Sequence, residues 1–287
     1  MRFRRLGPYG QETPIAVDNS GRHWDLSPLT SDIDGHFLEN DGIEEASHAL
    51  VSGRLTEIRN PESLRIGAPI SRPQAVICIG QNYAAHAAES GSEVPALPLM
   101  FFKHPNTIVG SYDNILRPPN SERLDWEVEL GVVIGRRARL IDSVESASDY
   151  IAGYVVSHDV SERQWQEVDS GGQWSKGKSG ETFNPLGPEL VTRDEVPNAQ
   201  ALRLWSTVNG ELRQDSVTSD MVFSVDFLVW HLSQYMVLEP GDVVNTGTPQ
   251  GVALSGKFPY LQPGDIVELG IDGLGVQRQT VVQAERP

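Results

Sequence analysis

The segment that decides the fold is DWEVELGVVIG, at residues 125–135. Its run of β-branched and other apolar residues predicts a strand. Alternate residues of a strand share a face, so Glu127 and Glu129 point the same way, about 6.5 Å apart along the strand. Two carboxylates this close repel each other, and a hard divalent cation such as Mg²⁺ would relieve the repulsion. A solvated acidic strand edge is the alternative that this segment alone leaves open.

Residues 71–287 have the same texture throughout and predict one strand-rich catalytic domain. Short β-branched runs alternate with Gly and Pro turns, and the predicted strands are Ala75–Ile79, Val128–Ile134, Ile151–Val156, Val243–Asn245 and Ile266–Leu269. Ser143–Tyr150 and Ser224–Tyr235 have helical spacing, and Ser224 is a favourable N-cap. The pattern favours a mixed, β-rich α+β fold.

Residues 1–70 predict a small N-terminal α/β domain. Thr13–Asp18 and Gly21–Leu26 are predicted strands joined by a turn, and Glu44–Leu55 has helical spacing. Arg59–Pro73 is rich in Pro, Gly and Ser and is a predicted linker. No constellation of catalytic residues stands out in this region, so we expect the chemistry after residue 70.

The composition of the 287 residues excludes several classes of protein. The formal net charge of -16 argues against nucleic acid and anionic membrane as partners, because an acidic surface repels both. No apolar run approaches 18 residues, which predicts neither a signal peptide nor a membrane span and hence a cytoplasmic location. The single cysteine, Cys78, lies in an apolar run and is expected to be buried.

A third acidic residue strengthens the case for a metal site. Asp159 ends the apolar run that starts at Tyr154, and Arg163 and Gln166 follow it at i+4 and i+7. If the chain turns helical after Asp159, the three side chains lie near one face. Taken alone, Asp159 also suits a helix N-cap. Together with Glu127 and Glu129 it forms a plausible set of oxygen ligands for a divalent cation.

His86 and Glu89 form a second candidate pair. The segment that contains them is alanine-rich and predicts a helix over Tyr83–Glu89, which places the two side chains at i and i+3 on one face. The carboxylate can then hold one imidazole nitrogen as N–H and leave the other free as a base for water. An inert surface pair and half of a transition-metal site are the alternatives.

These residues together carry a resemblance to a known family. The ordered motifs resemble those of the fumarylacetoacetate hydrolase family over about residues 72–280, and they are Gly80-x-Asn82-Tyr83-x-x-His86-x-x-Glu89, Glu127-x-Glu129-Leu130, Asp159-x-x-x-Arg163-x-x-Gln166, Lys178 and Asn245-Thr246-Gly247-Thr248-Pro249-x-Gly251-Val252. The resemblance implies a β-roll or β-sandwich catalytic domain, usually dimeric. It also implies Mg²⁺ or Mn²⁺ held by Glu127, Glu129 and Asp159.

The resemblance further implies a role for each remaining motif residue. His86 and Glu89 would activate water, and Lys178 would serve in catalysis. The residues expected to contact a 2-oxo acid substrate are Arg163, Gln166, Thr248 and Tyr83. Many relatives carry Arg or another residue where this chain has Gln81, so a family contact at that position is not carried over.

Within the family, three segments narrow the expectation. Leu6–Glu12, Gly171–Lys178 and Val267–Gly275 resemble the bacterial 2,4-diketo-3-deoxy-sugar-acid hydrolases of the L-fuconate and L-rhamnonate type. The expected reaction is hydrolysis of the C–C bond of a 2,4-diketo acid, a sugar acid or an acylpyruvate, to pyruvate and a carboxylic acid. An oxaloacetate-type decarboxylase, a 2-oxo-dienoate isomerase and a non-catalytic ligand-binding homologue are the alternatives.

Overall fold

The computed structural model describes residues 1–286, and most of its regular structure is strand. The strands are β1 (Arg2–Leu6), β2 (Thr13–Val17), β3 (His23–Asp25), β4 (Thr56–Glu57), β5 (Ile66–Gly67), β6 (Val76–Gly80), β7 (Leu99–Lys103), β8 (Ile108–Gly110), β9 (Ile115–Arg117), β10 (Leu124–Asp125), β11 (Val128–Ile134), β12 (Ile151–His158), β13 (Ser161–Glu162), β14 (Asn184–Leu186), β15 (Leu190–Thr192), β16 (Arg203–Val208), β17 (Glu211–Val217), β18 (Val243–Asn245), β19 (Ile266–Ile271) and β20 (Gly275–Gln283).

The helices are short and lie between these strands. The α-helices are α1 (Gly35–Glu39), α2 (Gly42–Val51), α3 (Ala84–Glu89), α4 (Ser175–Lys178) and α5 (Val225–Ser233). A π-helical turn spans Gln164–Val168, and 3₁₀ turns occupy Pro61–Ser63, Pro105–Thr107, Val144–Tyr150, Arg193–Glu195, Ala199–Ala201, Thr218–Asp220 and Ala253–Ser255. Among residues 1–286, no helix has the length and apolar character needed to cross a membrane.

Strand β11 lies in the interior of the larger sheet, between β12 and β18. Within the described residues this sheet has 13 strands, and its main path runs β4-β3-β2-β1-β15-β12-β11-β18-β6-β7. A second sheet runs β17-β16-β19-β20-β9, and β10 pairs with β13. All seven residues of β11 are buried, which explains why, apart from Glu129, its sequence is apolar on both faces. The mixed, β-rich fold class expected from the sequence is therefore what the structure has.

The two faces of β11 have different neighbours. Leu130, Val132 and Ile134 join the main hydrophobic cluster, together with second-sheet residues such as Leu204 and Leu269. On the opposite face, Val133 belongs to the cluster that includes the N-terminal residues. Because side chains alternate, Glu129 shares the face of Val133 at the other end of the strand. On this face, the apolar contact is therefore made near the end of β11, and the start of the strand carries the polar Glu129.

The N-terminal residues continue the same sheet. Strand β1 pairs with β15 at Arg2↔Val191, and β5, inside the predicted linker, pairs with β1. Phe3 and Leu26 pack in one cluster with Val155. The expectation that Arg59–Pro73 is only a linker is thus wrong, because its backbone is used in sheet pairing. The division at residue 70 stays a prediction, and the two parts share one sheet and one hydrophobic cluster.

Most of the predicted elements form close to their expected bounds. The five strands predicted after residue 71 correspond to β6, β11, β12, β18 and β19, and the Ser143–Tyr150 window forms a 3₁₀ helix instead of an α-helix. Ser224 caps α5, its side chain accepting from the Phe227 backbone N–H. Cys78 is buried as expected. Local patterning therefore accounts for the elements, and pairing between distant segments accounts for the sheet.

Candidate metal and catalytic site

Three carboxylates meet where β11 begins and β12 ends. These strands are antiparallel, with Glu129 opposite Ser157, so Glu127 just before β11 lies beside Asp159 just after β12. The Asp159 backbone N–H donates to the Glu127 carbonyl at 3.0 Å. Carboxylate oxygens of Glu127, Glu129 and Asp159 lie within 4.8 Å of one another, and all three residues are buried. The structure thus brings together the three residues predicted as metal ligands.

Buried cations surround this cluster. Lys178 Nζ lies 2.7 Å from Glu127 Oε2 and 2.8 Å from Asp159 Oδ2. Arg163 Nη2 lies 2.6 Å from Glu127 Oε1. Lys103 Nζ lies 2.5 Å from Asp159 Oδ1 and also donates to the Val160 carbonyl at 3.0 Å. Each cation is therefore held by carboxylates of the cluster.

The carboxylates of the cluster differ in how their charge is compensated. Burial opposes ionisation of Glu127, but Lys178 and Arg163 outweigh it and hold the pKa of Glu127 well below its usual range. For Glu129, burial and the neighbouring Asp159 and Glu127 raise the pKa well above its usual value. Glu129 accepts a hydrogen bond from the Gly247 backbone N–H at 2.8 Å, and no lysine or arginine among residues 1–286 forms an ion pair with it. An uncompensated buried carboxylate beside two others is the arrangement that a hard divalent cation fits.

The His86–Glu89 pair lies at the side of this cluster. Helix α3 carries both residues, and His86 Nδ1 lies 3.1 Å from Glu89 Oε1. The Gly251 backbone N–H donates to both Glu89 oxygens, at 2.9 and 3.1 Å, which fixes the carboxylate. This geometry fits Nδ1–H as donor to the carboxylate, and the lone pair of the neutral imidazole then lies at Nε2. The imidazole is thereby oriented as a base.

Arg163 and Gln166 are held together at the start of the π-helical turn. Arg163 Nη1 donates to Gln166 Oε1 at 2.9 Å, and Arg163 Nε donates to Asp125 Oδ2 at 2.8 Å. The predicted helical turn directly after Asp159 does not form, because β13 intervenes, and only Arg163 and Gln166 are brought into contact with each other. Gln166 Oε1 is thus occupied by Arg163, and its amide nitrogen is the group left for a ligand.

Thr248 and Tyr83 are placed differently from each other. The Thr248 hydroxyl donates to the Val128 carbonyl at 2.9 Å and accepts from Gln214 Nε2 at 2.8 Å. Thr248 lines the cavity described below, whereas Tyr83 packs in the main hydrophobic cluster and does not line it. The buried Tyr83 hydroxyl has no hydrogen-bond partner among residues 1–286. A substrate contact from Tyr83 stays a prediction.

A small cavity of about 230 Å³ opens beside the carboxylate cluster and His86. Its wall combines the reactive side chains with aromatic and polar residues, and it is lined by Ile79, Gly80, Gln81, His86, Ser90, Ser92, Phe101, Glu127, Glu129, Arg163, Gln166, Glu167, Trp174, Lys178, Thr248 and Leu254. A ligand in this cavity would therefore lie beside the Glu127 and Glu129 carboxylates, the His86 imidazole and the Arg163 and Lys178 cations.

The family follows from comparison with known proteins. Residues 75–282 match the sequence profile of the C-terminal domain of fumarylacetoacetate (FAA) hydrolase, which is well over half of the chain. The chain belongs to the fumarylacetoacetate hydrolase family. A Burkholderia ambifaria protein assigned by name as a hydrolase is 48% identical over 292 residues, covering 99% of this chain and 100% of that protein.

Two solved structures of this family show the range of its reactions. The 5-carboxymethyl-2-hydroxymuconate Δ-isomerase of Mycobacterium smegmatis aligns with a TM-score of 0.78 and 30% identity, covering 100% of both chains. Maleylpyruvate hydrolase of Sphingobium sp. SYK-6, in complex with manganese(II) and pyruvate, aligns with a TM-score of 0.81 and 26% identity, covering 99% of this chain and 100% of that one. The predicted family and fold are confirmed, and the chain belongs to a family of hydrolases and isomerases. The sugar-acid subgroup stays a prediction.

Sequence reasoning missed two charged residues of this fumarylacetoacetate hydrolase family site. Lys103 ends β7 at a buried position, and Asp125 is buried beside Arg163, accepting also from the Ala253 and Leu254 backbone N–H groups. The sequence could have indicated Lys103, because in the strand LMFFK it lies on the same face as the apolar Phe101. Asp125 lies in segment 125–135, but its partner Arg163 is 38 residues away in the sequence, so no local pattern indicated this pair.

Gly177 offers a test of how Lys178 is positioned. A Cβ at Gly177 would lie 2.4 Å from the Gln166 backbone nitrogen and 2.5 Å from the Glu162 carbonyl oxygen. Neither atom can move without shifting the backbone that carries Arg163. Gly177→Ala should therefore lower the free energy of unfolding by about 1–3 kcal/mol, as overpacking does, and lower activity as well. Thermal unfolding of this variant, with the exposed neighbour substitution Lys176→Ala as control, measures the effect; unchanged stability and activity would contradict the packing argument.

Proposed function

We propose that this chain is a divalent-metal-dependent hydrolase that cleaves a C–C bond of a 2,4-diketo acid, such as a 2,4-diketo-3-deoxy sugar acid or an acylpyruvate. The products are pyruvate and a carboxylic acid. The observation that carries the proposal is that Glu127 and Glu129 of the carboxylate cluster line one small cavity together with the oriented His86. A manganese(II) and pyruvate complex of a related hydrolase supports it.

The cluster would hold Mg²⁺ or Mn²⁺ through Glu127, Glu129 and Asp159. When bound, the ion supplies positive charge that stabilises the negative charge developing on the 2-oxo acid end of the substrate. Lys178 and Arg163 keep Glu127 ionised, because their charges lie within 2.7 Å of its oxygens. The same two side chains point into the cavity and would donate to the substrate carboxylate.

His86 would act as general base and then as general acid. Its Nε2 takes a proton from water while the water oxygen bonds to the C4 carbonyl carbon. The C3–C4 bond then breaks, its electron pair stays on C3 of the pyruvate enolate, and the imidazolium returns the proton to C3. Glu89, held by the Gly251 N–H, keeps the ring in the required tautomer throughout.

Pyruvate release tests the proposed function directly. We expect metal-dependent pyruvate, together with the matching carboxylic acid, from at least one member of a panel of 2,4-diketo-3-deoxy sugar acids and acylpyruvates, and loss of activity in EDTA. Oxaloacetate is the control substrate. Pyruvate and CO₂ from oxaloacetate alone would make the protein a decarboxylase.

Isomerisation is the second candidate, favoured by the similarity to the Mycobacterium smegmatis isomerase. An isomerase needs no attacking water, so the His86–Glu89 pair would move a proton within the substrate instead. Absorbance changes with 2-hydroxymuconate-type substrates, without release of pyruvate, would favour this reaction. The expectations of a homodimer and a cytoplasmic location stay predictions, and sedimentation equilibrium would test the first.

A further inference from the structure

The charge of the site is the first observation that bears on which substrate it takes. Four buried carboxylates, those of Asp125, Glu127, Glu129 and Asp159, face three buried cations. A divalent ion bound there would leave at most one positive charge in excess, before the buried Glu162 nearby and the Glu89 carboxylate beside His86 are counted. One carboxylate of a 2-oxo acid neutralises that excess, and nothing remains for a second anion.

The cations that line the cavity already contact carboxylates, and the N–H groups that they have left would bind the carboxylate at the 2-oxo end of the substrate. Arg163 donates to Asp125, Glu127 and Gln166, and Lys178 donates to Glu127 and Asp159. Nearby Glu162 is buried as well; it accepts from backbone N–H groups and forms no ion pair among residues 1–286. A second substrate carboxylate would lose its water without gaining a cation, which is unfavourable.

The remaining polar wall of the cavity is neutral or acidic. Gln81, Ser90 and Ser92 line it, together with Glu167. The Gln81 amide and the Ser92 hydroxyl form no side-chain hydrogen bond within the described residues 1–286, while the Ser90 hydroxyl donates to the His86 carbonyl and keeps its lone pairs free. Glu167 pairs with Arg123 outside the cavity, at 3.3 Å. These groups suit hydroxyls, which both donate and accept.

The backbone at Gln81 forms a fixed turn beside this wall. Its backbone is left-handed, with φ of 56°, an uncommon conformation for a residue with a side chain. The next residue, Asn82, pins the turn, because its side chain bonds the Thr246 carbonyl at 2.8 Å and both backbone groups of Phe223. The turn thus fixes the backbone position from which the Gln81 side chain reaches the cavity wall.

We propose that the wall formed by Gln81, Ser90 and Ser92 selects a 2,4-diketo acid whose leaving half is uncharged and carries hydroxyl groups, and that the site rejects diketo acids with a second carboxylate. This inference rests on the proposed function and deepens it. Gln81 is the specificity-determining residue of the wall, since a cation at the same position would compensate the second carboxylate.

Two substrates of equal length test the selection. They are 7-hydroxy-2,4-dioxoheptanoate and 2,4-dioxoheptanedioate, which differ at the last carbon, an alcohol in one and a carboxylate in the other. We expect the native enzyme to favour the alcohol by about 100-fold or more in kcat/KM, because its buried polar groups match only that one. Calorimetric Kd values in His86→Ala, in which we expect binding without turnover, should show the same preference.

Substitutions of Gln81 provide the matched controls. Gln81→Arg should reduce the preference by about 10-fold or more, through a charge-assisted hydrogen bond to the second carboxylate. Gln81→Met, of similar size, should weaken use of the alcohol by about 10-fold without improving the dicarboxylate. Thermal unfolding of both variants verifies that they fold.

The outcomes separate this inference from the function on which it rests. Equal metal-dependent pyruvate release from both substrates, or a preference for the dicarboxylate, would overturn the selection and leave the hydrolase function standing. A preference unchanged in both Gln81 variants would overturn the role of Gln81. Pyruvate from neither substrate, nor from any diketo acid of the wider panel, would overturn the hydrolase function and this inference together.

Discussion

His86→Ala should lower kcat for pyruvate release by about 100- to 10,000-fold, the usual range for loss of a general base. His86 is the oriented base of the cavity, and water is a poor nucleophile without proton transfer. The residue donates no ligand atom to the predicted metal site, so the affinity for Mn²⁺ should be unchanged or slightly higher. Steady-state kinetics and Mn²⁺ titration by calorimetry measure the two quantities on the same preparation.

The matching substitution at Glu89 distinguishes orientation of the base from its presence. Glu89→Gln keeps the size of the side chain but weakens the hold on the imidazole N–H, so a smaller loss of kcat, about 10- to 100-fold, is expected. The exposed His48→Ala serves as control for loss of a histidine as such. Loss of Mn²⁺ binding in His86→Ala would show that the histidine belongs to the metal site and that the assigned role is incorrect.

Glu129→Gln should abolish metal-dependent activity by weakening the metal site itself. Removal of a residue that supports a metal ligand usually costs 10- to 100-fold in affinity, so loss of a direct ligand should cost about 100-fold or more. In the native protein, metal at 100 times its Kd would add about 2.7 kcal/mol to the free energy of unfolding. That increase, seen as a rise in Tm with Mn²⁺, should disappear in the variant.

The metal-free proteins should show the opposite order of stability. Glu129 is buried beside Glu127 and Asp159 with a raised pKa, so its ionised form is unfavourable without a cation. Removing that charge should leave the free energy of unfolding of metal-free Glu129→Gln equal to or above that of the native protein. Glu122→Gln, at an exposed position in the same region, is the control. A metal-free variant that is clearly less stable, yet still gains stability from Mn²⁺, would argue against Glu129 as a ligand.

Local patterns in the sequence predict most of the strands and indicate the candidate ligands. Period-2 alternation in residues 125–135 placed Glu127 and Glu129 on one face, and the structure brings Asp159 to the same place. The i, i+3 spacing put His86 beside Glu89 on a short helix. Such features depend on chain geometry over a few residues, and therefore follow from spacing alone.

Only the tertiary structure decided which charges compensate which. Lys103 contacts Asp159 across 56 residues, and Arg163 contacts Asp125 across 38. The pairing of β1 with β15 joins the N-terminal region to the main sheet and brings together Arg2 and Val191, which lie far apart in the sequence. Sequence periodicity cannot predict contacts of this kind, because a charged residue is usually exposed. Only the folded structure shows that it is buried and which distant residue it pairs with.

The sequence by itself thus determined the alternation of side chains along the strands, the family and the identity of the candidate metal and water-activating residues. The fold alone decided that Glu129 stays without a cation, that Arg163 and Lys178 are already engaged, and that Gln81 faces the cavity. The reason is physical: residue spacing sets direction within one element, whereas the balance of buried charge depends on every element that packs around the site.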